Sequence, residues 1–380
     1  MKGFPIKQFK DVQTPFYYYD VALLRRTLNA VKSASPHNSI VHYALKANSN
    51  PHLLRIIAAA GLGADCVSGG EIALAIECGF SPHKIVFSGV GKSDKEIYLA
   101  LSKQIDCFNV ESLAELQVIN ALAADCGVVA PIAIRVNPHI DAHTHHYITT
   151  GLSENKFGID ISKLSEVICE VGNMPHVSLR GLHFHIGSQI VDLLPFEQLC
   201  DTVNSLQNEL EQLGVSIDYI NVGGGLGVDY AHPDRNPIPD FSTYFSLYSR
   251  RLNLRDGQIL HFELGRSIVC QCGSLISRVL YIKEGLSKNF AIIDAGMTDL
   301  MRPALYQATH KIENITSSRA ACMYDVVGPI CESSDSFGSE VLLNEARRGD
   351  ILAIRSAGAY GESMANRYNS RELPGTFFDE

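Results

Sequence analysis

No C-x-x-C pair occurs among the ten cysteines of this chain; the nearest two are Cys270 and Cys272. Disulfide frameworks belong to short secreted chains, so at 380 residues reduced thiols and a cytoplasmic location are expected. No long basic run is present and the net charge is -9, which argues against nucleic acid or an anionic membrane as partner. No stretch approaches the apolar length needed to span a bilayer, and Met1 to Phe16 lacks the apolar core of a signal peptide. What remains is ordinary globular composition, 46% hydrophobic and 19% charged, enough for a large core and a second domain.

One unit recurs along the chain: a short apolar strand, a polar or glycine-bearing turn, then an amphipathic helix. Asp20 is a good N-cap for a helix running to Ser35-Pro36. Strands are expected at 39–45, 64–68, 84–88, 105–109, 131–136, 180–186, 218–223 and 259–264. Helices are expected at 51–60, 70–79, 92–102, 111–124, 161–172, 195–213 and 241–252. Sequential βα units wind with one hand, and this number of them predicts an α/β fold, a (β/α)₈ TIM-type barrel, over an open doubly wound sheet. The pattern changes after Arg266. Strand-like runs at 274–283, 289–294, 322–327 and 350–356 predict a mainly β C-terminal domain. The expected domains are thus a barrel at 27–266 and a β domain at 267–380, completed by about 1–26.

Barrel chemistry sits where strands end, at the C-terminal mouth. Lys46, Ser68, Ser88, Asn109, Arg135, His185, Gly223 to Gly225 and Glu263 to Arg266 fall there. Taken alone, Lys46 is either a snorkelling surface side chain or an amine for covalent chemistry. His183 and His185, two apart on a strand, admit a zinc pair, a packed structural role or stacking on a cofactor; His143, His145 and His146 raise the same metal question. Clustered carboxylates at the other strand ends are missing, and no metal is expected. Val222-Gly223-Gly224-Gly225-Leu226-Gly227 does not fit G-x-G-x-x-G, because Val228 holds the third glycine place. It reads as a tight turn or a single-phosphate cup. Glu263 and Arg266 are a surface ion pair, or else a carboxylate holding a ring nitrogen protonated next to a phosphate-binding turn. Lysine anchor, phosphate cup, stacking imidazole and ring-nitrogen carboxylate together describe a pyridoxal 5′-phosphate site.

These residues lie in longer stretches: YALKAN, GADCVSGGE, HTHHYITTGLSENKFGI, HFHIGSQI, NVGGGLGVDY, FELGRSIV, DAGMTDLMRPALY, VVGPICESSD and GAYGESMANRYNSR. In that order, nearly end to end, the chain resembles the alanine-racemase-like, fold type III pyridoxal-phosphate decarboxylases, most closely those acting on diaminopimelate. The resemblance implies a (β/α)₈ barrel with a C-terminal β domain. It implies that Lys46 anchors the cofactor covalently, that His185 stacks on its ring and that Glu263 pairs with its nitrogen. Gly225, the turn Glu263-Leu264-Gly265-Arg266 and Tyr360 would hold the cofactor, chiefly its phosphate. Arg266, Arg302, Tyr306 and Tyr360 would bind substrate, with Glu332 on its distal amino group and Cys331 as proton donor. Cys331 and Glu332 would come from the second subunit of a homodimer, and the segment 141–160 is similar to a loop that covers the substrate.

Substrate choice rests on the distal end. Arg302 and Tyr306 form a donor pair suited to a distal carboxylate, and CESSD at 331–335 resembles the diaminopimelate type, where ornithine enzymes show CDGLD. The expected reaction is decarboxylation of meso-diaminopimelate to L-lysine, the last step of lysine biosynthesis. The alternatives are an ornithine- or arginine-type decarboxylase, or a non-catalytic binding relative. A racemase of this fold carries arginine at the ring nitrogen, and Glu263 speaks against that.

Overall fold

The computed structural model describes residues 3–141 and 156–380. It divides into two compact units, Leu28–Gly227 with Asp240–Gly265, and Met1–Thr27 with Val228–Pro239 and Arg266–Glu380. Val228–Pro239 lies within the barrel's stretch of sequence and nevertheless belongs to the β unit.

Strand β1 (Phe16–Asp20) comes first, and Asp20 caps the helix Val21–Ala34, its Oδ1 accepting from the Leu23 N–H at 2.7 Å. The barrel strands are then β2 (Ser39–Ala44), β3 (Gly63–Cys66), β4 (Ile85–Phe87), β5 (Cys107–Val110), β6 (Ala130–Asn137), the short β7 (Ile159–Asp160), β8 (Val177–His183), β9 (Tyr219–Asn221) and β10 (Ile259–Leu264). All pair in parallel. The ring closes because β10 pairs with β2 and β5 with β6, while β7 only flanks β6. Nine strands less that spur leave the eight of the expected barrel.

These segments are strands because they are short, apolar and buried on both faces, as parallel barrel strands must be. Helices start where side chains satisfy their first N–H groups. Asn50 accepts from His52 N–H at 3.0 Å with Pro51 next, and Ser93 with Glu96 forms a capping box for Asp94–Lys103. In Pro51–Ala59, Leu53, Leu54 and Ile57 are fully buried, each stabilising by roughly 1.5–3 kcal/mol. A polar layer crosses the barrel interior. His42 Nε2 lies 3.1 Å from His261 Nδ1, and Tyr219 stacks on His261 with ring centroids 4.2 Å apart.

The β unit adds β11 (Gly273–Glu284), β12 (Asn289–Ile293), β13 (Ile312–Asn314), β14 (Ala321–Val327), β15 (Ser336–Asn344), β16 (Ile351–Ile354) and β17 (Gly375–Asp379). Its sheet runs β13-β16-β11-β12-β14-β15, and β1 joins it between β11 and β17. Phe9, Phe16, Tyr18, Ile276, Ile351 and Ala353 form a core cluster there, with Phe377 against it. The mainly β domain is therefore completed by N-terminal residues.

Candidate active site

In the barrel unit, β2 runs out at Ala44 into a one-turn helix, Leu45–Ala47, that carries Lys46. The Tyr43 hydroxyl donates to the Asn48 carbonyl at 2.8 Å and pins this turn. Lys46 Nζ donates to Asp65 Oδ2 at 3.2 Å; Asp65 is fully buried, and the lysine side chain keeps 37% of its surface exposed. The other Asp65 oxygen is buried with no hydrogen-bond partner among the described residues.

Glu263, on β10, is 5% exposed. Its Oε1 accepts from Asn109 Nδ2 at 3.1 Å and Asn221 Nδ2 at 2.7 Å, and its Oε2 meets His183 Nε2 at 3.0 Å. Burial pushes its pKa up, but the His183 and Lys46 charges outweigh burial, and the net shift is downward. The carboxylate is charged at neutral pH. A carboxylate has about four acceptor positions, so three hydrogen bonds leave room for one more donor.

His185 lies just past the end of β8, not within the strand as expected. Its Nδ1 accepts from the Gly224 N–H at 3.3 Å. Burial first, then the Lys46 and Arg135 charges, hold its pKa well below the ordinary histidine value. The ring is neutral, apolar enough to lie against an aromatic face. The glycines beside it have a steric origin. A Cβ on Gly224 would lie 1.9 Å from the Glu263 carbonyl oxygen, and one on Gly223 2.2 Å from that of Phe184. Gly225 has φ +108°, and Gly265, after Leu264, lies where a Cβ would meet Ala47 at 2.9 Å. Lys46, His185, Gly225, Glu263, Leu264 and Gly265 thus gather at one mouth of the barrel.

In the β unit, Arg266 and Arg302 are 5% and 4% exposed. The Arg266 guanidinium lies 4.8 Å from the Tyr360 ring, and its Nη1 donates to the Tyr230 hydroxyl at 2.5 Å. Tyr360 has φ +56°, a left-handed conformation that a bulky residue adopts only where its surroundings enforce it. Arg302 opens the short helix Arg302–Tyr306, which places Tyr306 one turn later on the same face. Its guanidinium lies 4.8 Å from the Tyr230 ring, and its Nη1 is 3.0 Å from His310 Nε2. Cys331 and Glu332 are exposed; the Cys331 N–H donates to Asn369 Oδ1 at 3.4 Å, and Glu332 accepts from the Tyr368 hydroxyl at 2.7 Å.

Sequence reading missed Asp65 and Asn221 as site residues, and Tyr230 and His310 in the β unit; it placed Asn109 at the mouth and weighed His183, without the Glu263 contact of either. Asp65, Asn109 and Asn221 do carry a signal, since each is the polar side chain of an otherwise apolar barrel strand. Among the described residues, no group of three or more histidine, cysteine, aspartate or glutamate side chains could hold a metal ion. His143, His145 and His146, and most of the segment 141–160, lie outside those residues.

The barrel mouth fits the expected ring. Glu263 is charged and has an acceptor position left for a ring N–H, and the buried Asp65 and Asn109 oxygens have no hydrogen-bond partner among the described residues. The family model for the pyridoxal binding domain of pyridoxal-dependent decarboxylases matches residues 21–270. The chain belongs to the pyridoxal-dependent decarboxylases. Within that family it falls among the diaminopimelate decarboxylases. The enzyme of that name from Bacteroides thetaiotaomicron is 59% identical over 377 residues, 98% of each chain. That of Aquifex aeolicus is 42% identical over 373 residues, 98% of this chain and 88% of its own. The crystal structure of diaminopimelate decarboxylase from Helicobacter pylori, complexed with L-lysine, matches with a TM-score of 0.93. It is 42% identical, covering 99% of this chain and 94% of that one.

Proposed function

We propose that this chain decarboxylates meso-diaminopimelate to L-lysine and carbon dioxide, using pyridoxal phosphate. The observation that carries the reading is Glu263, a buried carboxylate kept charged by two amides and an imidazole, at the same barrel mouth as Lys46. Bound there, pyridoxal phosphate supplies an electron sink for the pair left behind when a carboxylate departs.

The chain's own residues do the rest. Lys46 would hold the cofactor through its amine, and Asp65 would keep the Nζ in position. Glu263 keeps the ring nitrogen protonated, and His185, being neutral, stacks on the ring without competing for that charge. Gly225, Leu264, Gly265, Arg266 and Tyr360 hold the cofactor's phosphate end. Arg266, Arg302, Tyr306 and Tyr360 bind substrate carboxylate groups, where planar guanidinium donors match two oxygens at once. Glu332 takes the distal ammonium. Cys331 would supply a proton to the carbon that loses its carboxylate.

Cys331 and Glu332 are exposed in the single chain, which supports their service to a neighbouring subunit in a homodimer. Scattered free thiols and the absence of any helix long and apolar enough to cross a membrane among the described residues support a cytoplasmic enzyme. Turnover of diaminopimelate, lysine and ornithine by the cofactor-loaded protein tests the assignment. Diaminopimelate is expected to be the preferred substrate by a wide margin; preference for ornithine would overturn the reading.

A further inference from the structure

Arg302 is a buried cation in the company of neutral groups. Its Nη1 contacts His310, its face meets Tyr230, and its Nε is buried with no hydrogen-bond partner among the described residues. No aspartate or glutamate among those residues lies within ion-pair distance of it. Arg355 and Arg135, two other buried cations, are matched to carboxylates. In the same unit Arg355 lies 2.8 Å from Glu313 and 3.0 Å from Asp234, and in the barrel Arg135 lies 2.7 Å from Glu111.

The protonation of His310 follows from its contacts. Its Nδ1 is 2.8 Å from the Arg355 carbonyl oxygen, which can only accept. Nδ1 therefore carries the proton, and Nε2 presents a lone pair to Arg302. Burial, then the Arg302 charge, pushes the pKa of His310 down to about 3, so the ring stays a neutral acceptor. Its orientation is set by the fold: Arg355 N–H donates to the Lys311 carbonyl at 2.9 Å, and β13 and β16 continue that pairing at Ile312 and Ile354. Tyr230 closes the other side, its ring edge-on to His310 at 5.1 Å.

We propose that His310 is a positioning residue that aims the Arg302 guanidinium while leaving its charge uncompensated, and so sets the preference for ligands carrying a distal carboxylate. The proposal rests on the diaminopimelate decarboxylase assignment. A carboxylate at position 310 would satisfy Arg302 within the protein and remove its demand for an external anion. An apolar ring there would leave Arg302 without its acceptor and free to swing. Only a neutral acceptor both fixes the side chain and keeps it receptive.

L-lysine and cadaverine differ only by the carboxylate in question, which makes them the probes. Binding of each to the cofactor-loaded protein is measured by calorimetry for the wild type, His310→Glu, His310→Phe and His310→Gln. The same variants are assayed for kcat and KM with diaminopimelate. His310→Glu is expected to weaken L-lysine binding and raise KM by about tenfold or more, the scale of a lost hydrogen bond to a charged group, with cadaverine affinity moved less than about twofold and kcat affected less than KM. His310→Phe weakens L-lysine in the same selective way, and His310→Gln, which keeps an acceptor, restores the discrimination. Equal loss of both probes in the glutamate and phenylalanine variants, or unchanged discrimination in both, overturns the proposal. If His310→Glu does not fold, the contrast between the Phe and Gln variants decides the question alone. Failure of the decarboxylase assignment is separate, since it shows as a wild type that does not turn over diaminopimelate whatever its affinities for the two probes.

Discussion

Glu263 in the barrel unit and Arg302 in the β unit are both more than nine-tenths buried, and neither has an arginine, lysine, aspartate or glutamate within ion-pair distance among the described residues. Two side-chain amides and an imidazole surround the carboxylate; an imidazole and a phenol ring surround the guanidinium. Other buried charges sit in matched pairs, as do Lys92 with Glu115 at 2.6 Å and Arg355 with Asp234 and Glu313. A matched pair is closed: each ion has its counter-charge and nothing further to bind. An ion held by imidazole, amide or ring contacts with no full ion-pair partner is desolvated and oriented yet still carries its field outward. On the proposed function, Glu263 and Arg302 are the charges left for a ligand, and the matched pairs hold the fold.

The largest expected effect is at Lys46, the proposed covalent anchor. Lys46→Ala should abolish the visible absorption of the lysine-linked cofactor and lower turnover by ~10³-fold or more, since no other group can replace a covalent partner. Spectra and kcat on added cofactor check this, and a variant that retains both removes the barrel mouth as the reaction centre.

Glu263→Gln is the sharper test of the open-charge idea, because it keeps shape and removes only the charge. A fall in kcat of about 10²–10³-fold is expected, the scale of losing one preorganised electrostatic contact. The pH dependence has a definite sign. The native carboxyl is held below its unfolded value, so its contribution to stability is complete above the unfolded carboxylate pKa and is lost as pH falls through the native one. The glutamine variant should therefore show a shallower loss of thermal stability on acidification than the wild type. A kcat near that of the wild type would mean the charge is not used.

Much of the fold and of the barrel mouth is legible in the residues. The barrel strands stand out as short apolar runs at regular spacing, and Lys46 and Glu263 are visible as charged groups where such runs end. What escapes is non-local. Ser336–Asn344 begins with polar residues around Gly338 and keeps half its length exposed, and Gly375–Asp379 becomes a strand only by pairing with residues near the other end of the chain. Neither leaves a period in its own sequence. His310 escapes for the same reason: nothing near it in sequence says that its two nitrogens face Arg302 and the Arg355 carbonyl. The glycines at 223 and 224 read as a cup or a turn, and the structure supplies a third reason, backbone carbonyls pressed against them.

The smallest expected effect comes from the matched pairs, and it is the control for the rest. Arg355→Gln removes a guanidinium whose partners Asp234 and Glu313 are 47% and 29% exposed, so solvent screens them and the loss should be about 1 kcal/mol of stability. The His310 hydrogen bond runs to the backbone of residue 355 and survives the substitution. Thermal unfolding should shift slightly while KM for diaminopimelate stays within about twofold, because a closed pair has no field to lend the site. A large rise in KM would erase the distinction between the two kinds of buried charge, since it would show that Arg355, though paired, is also felt by the ligand.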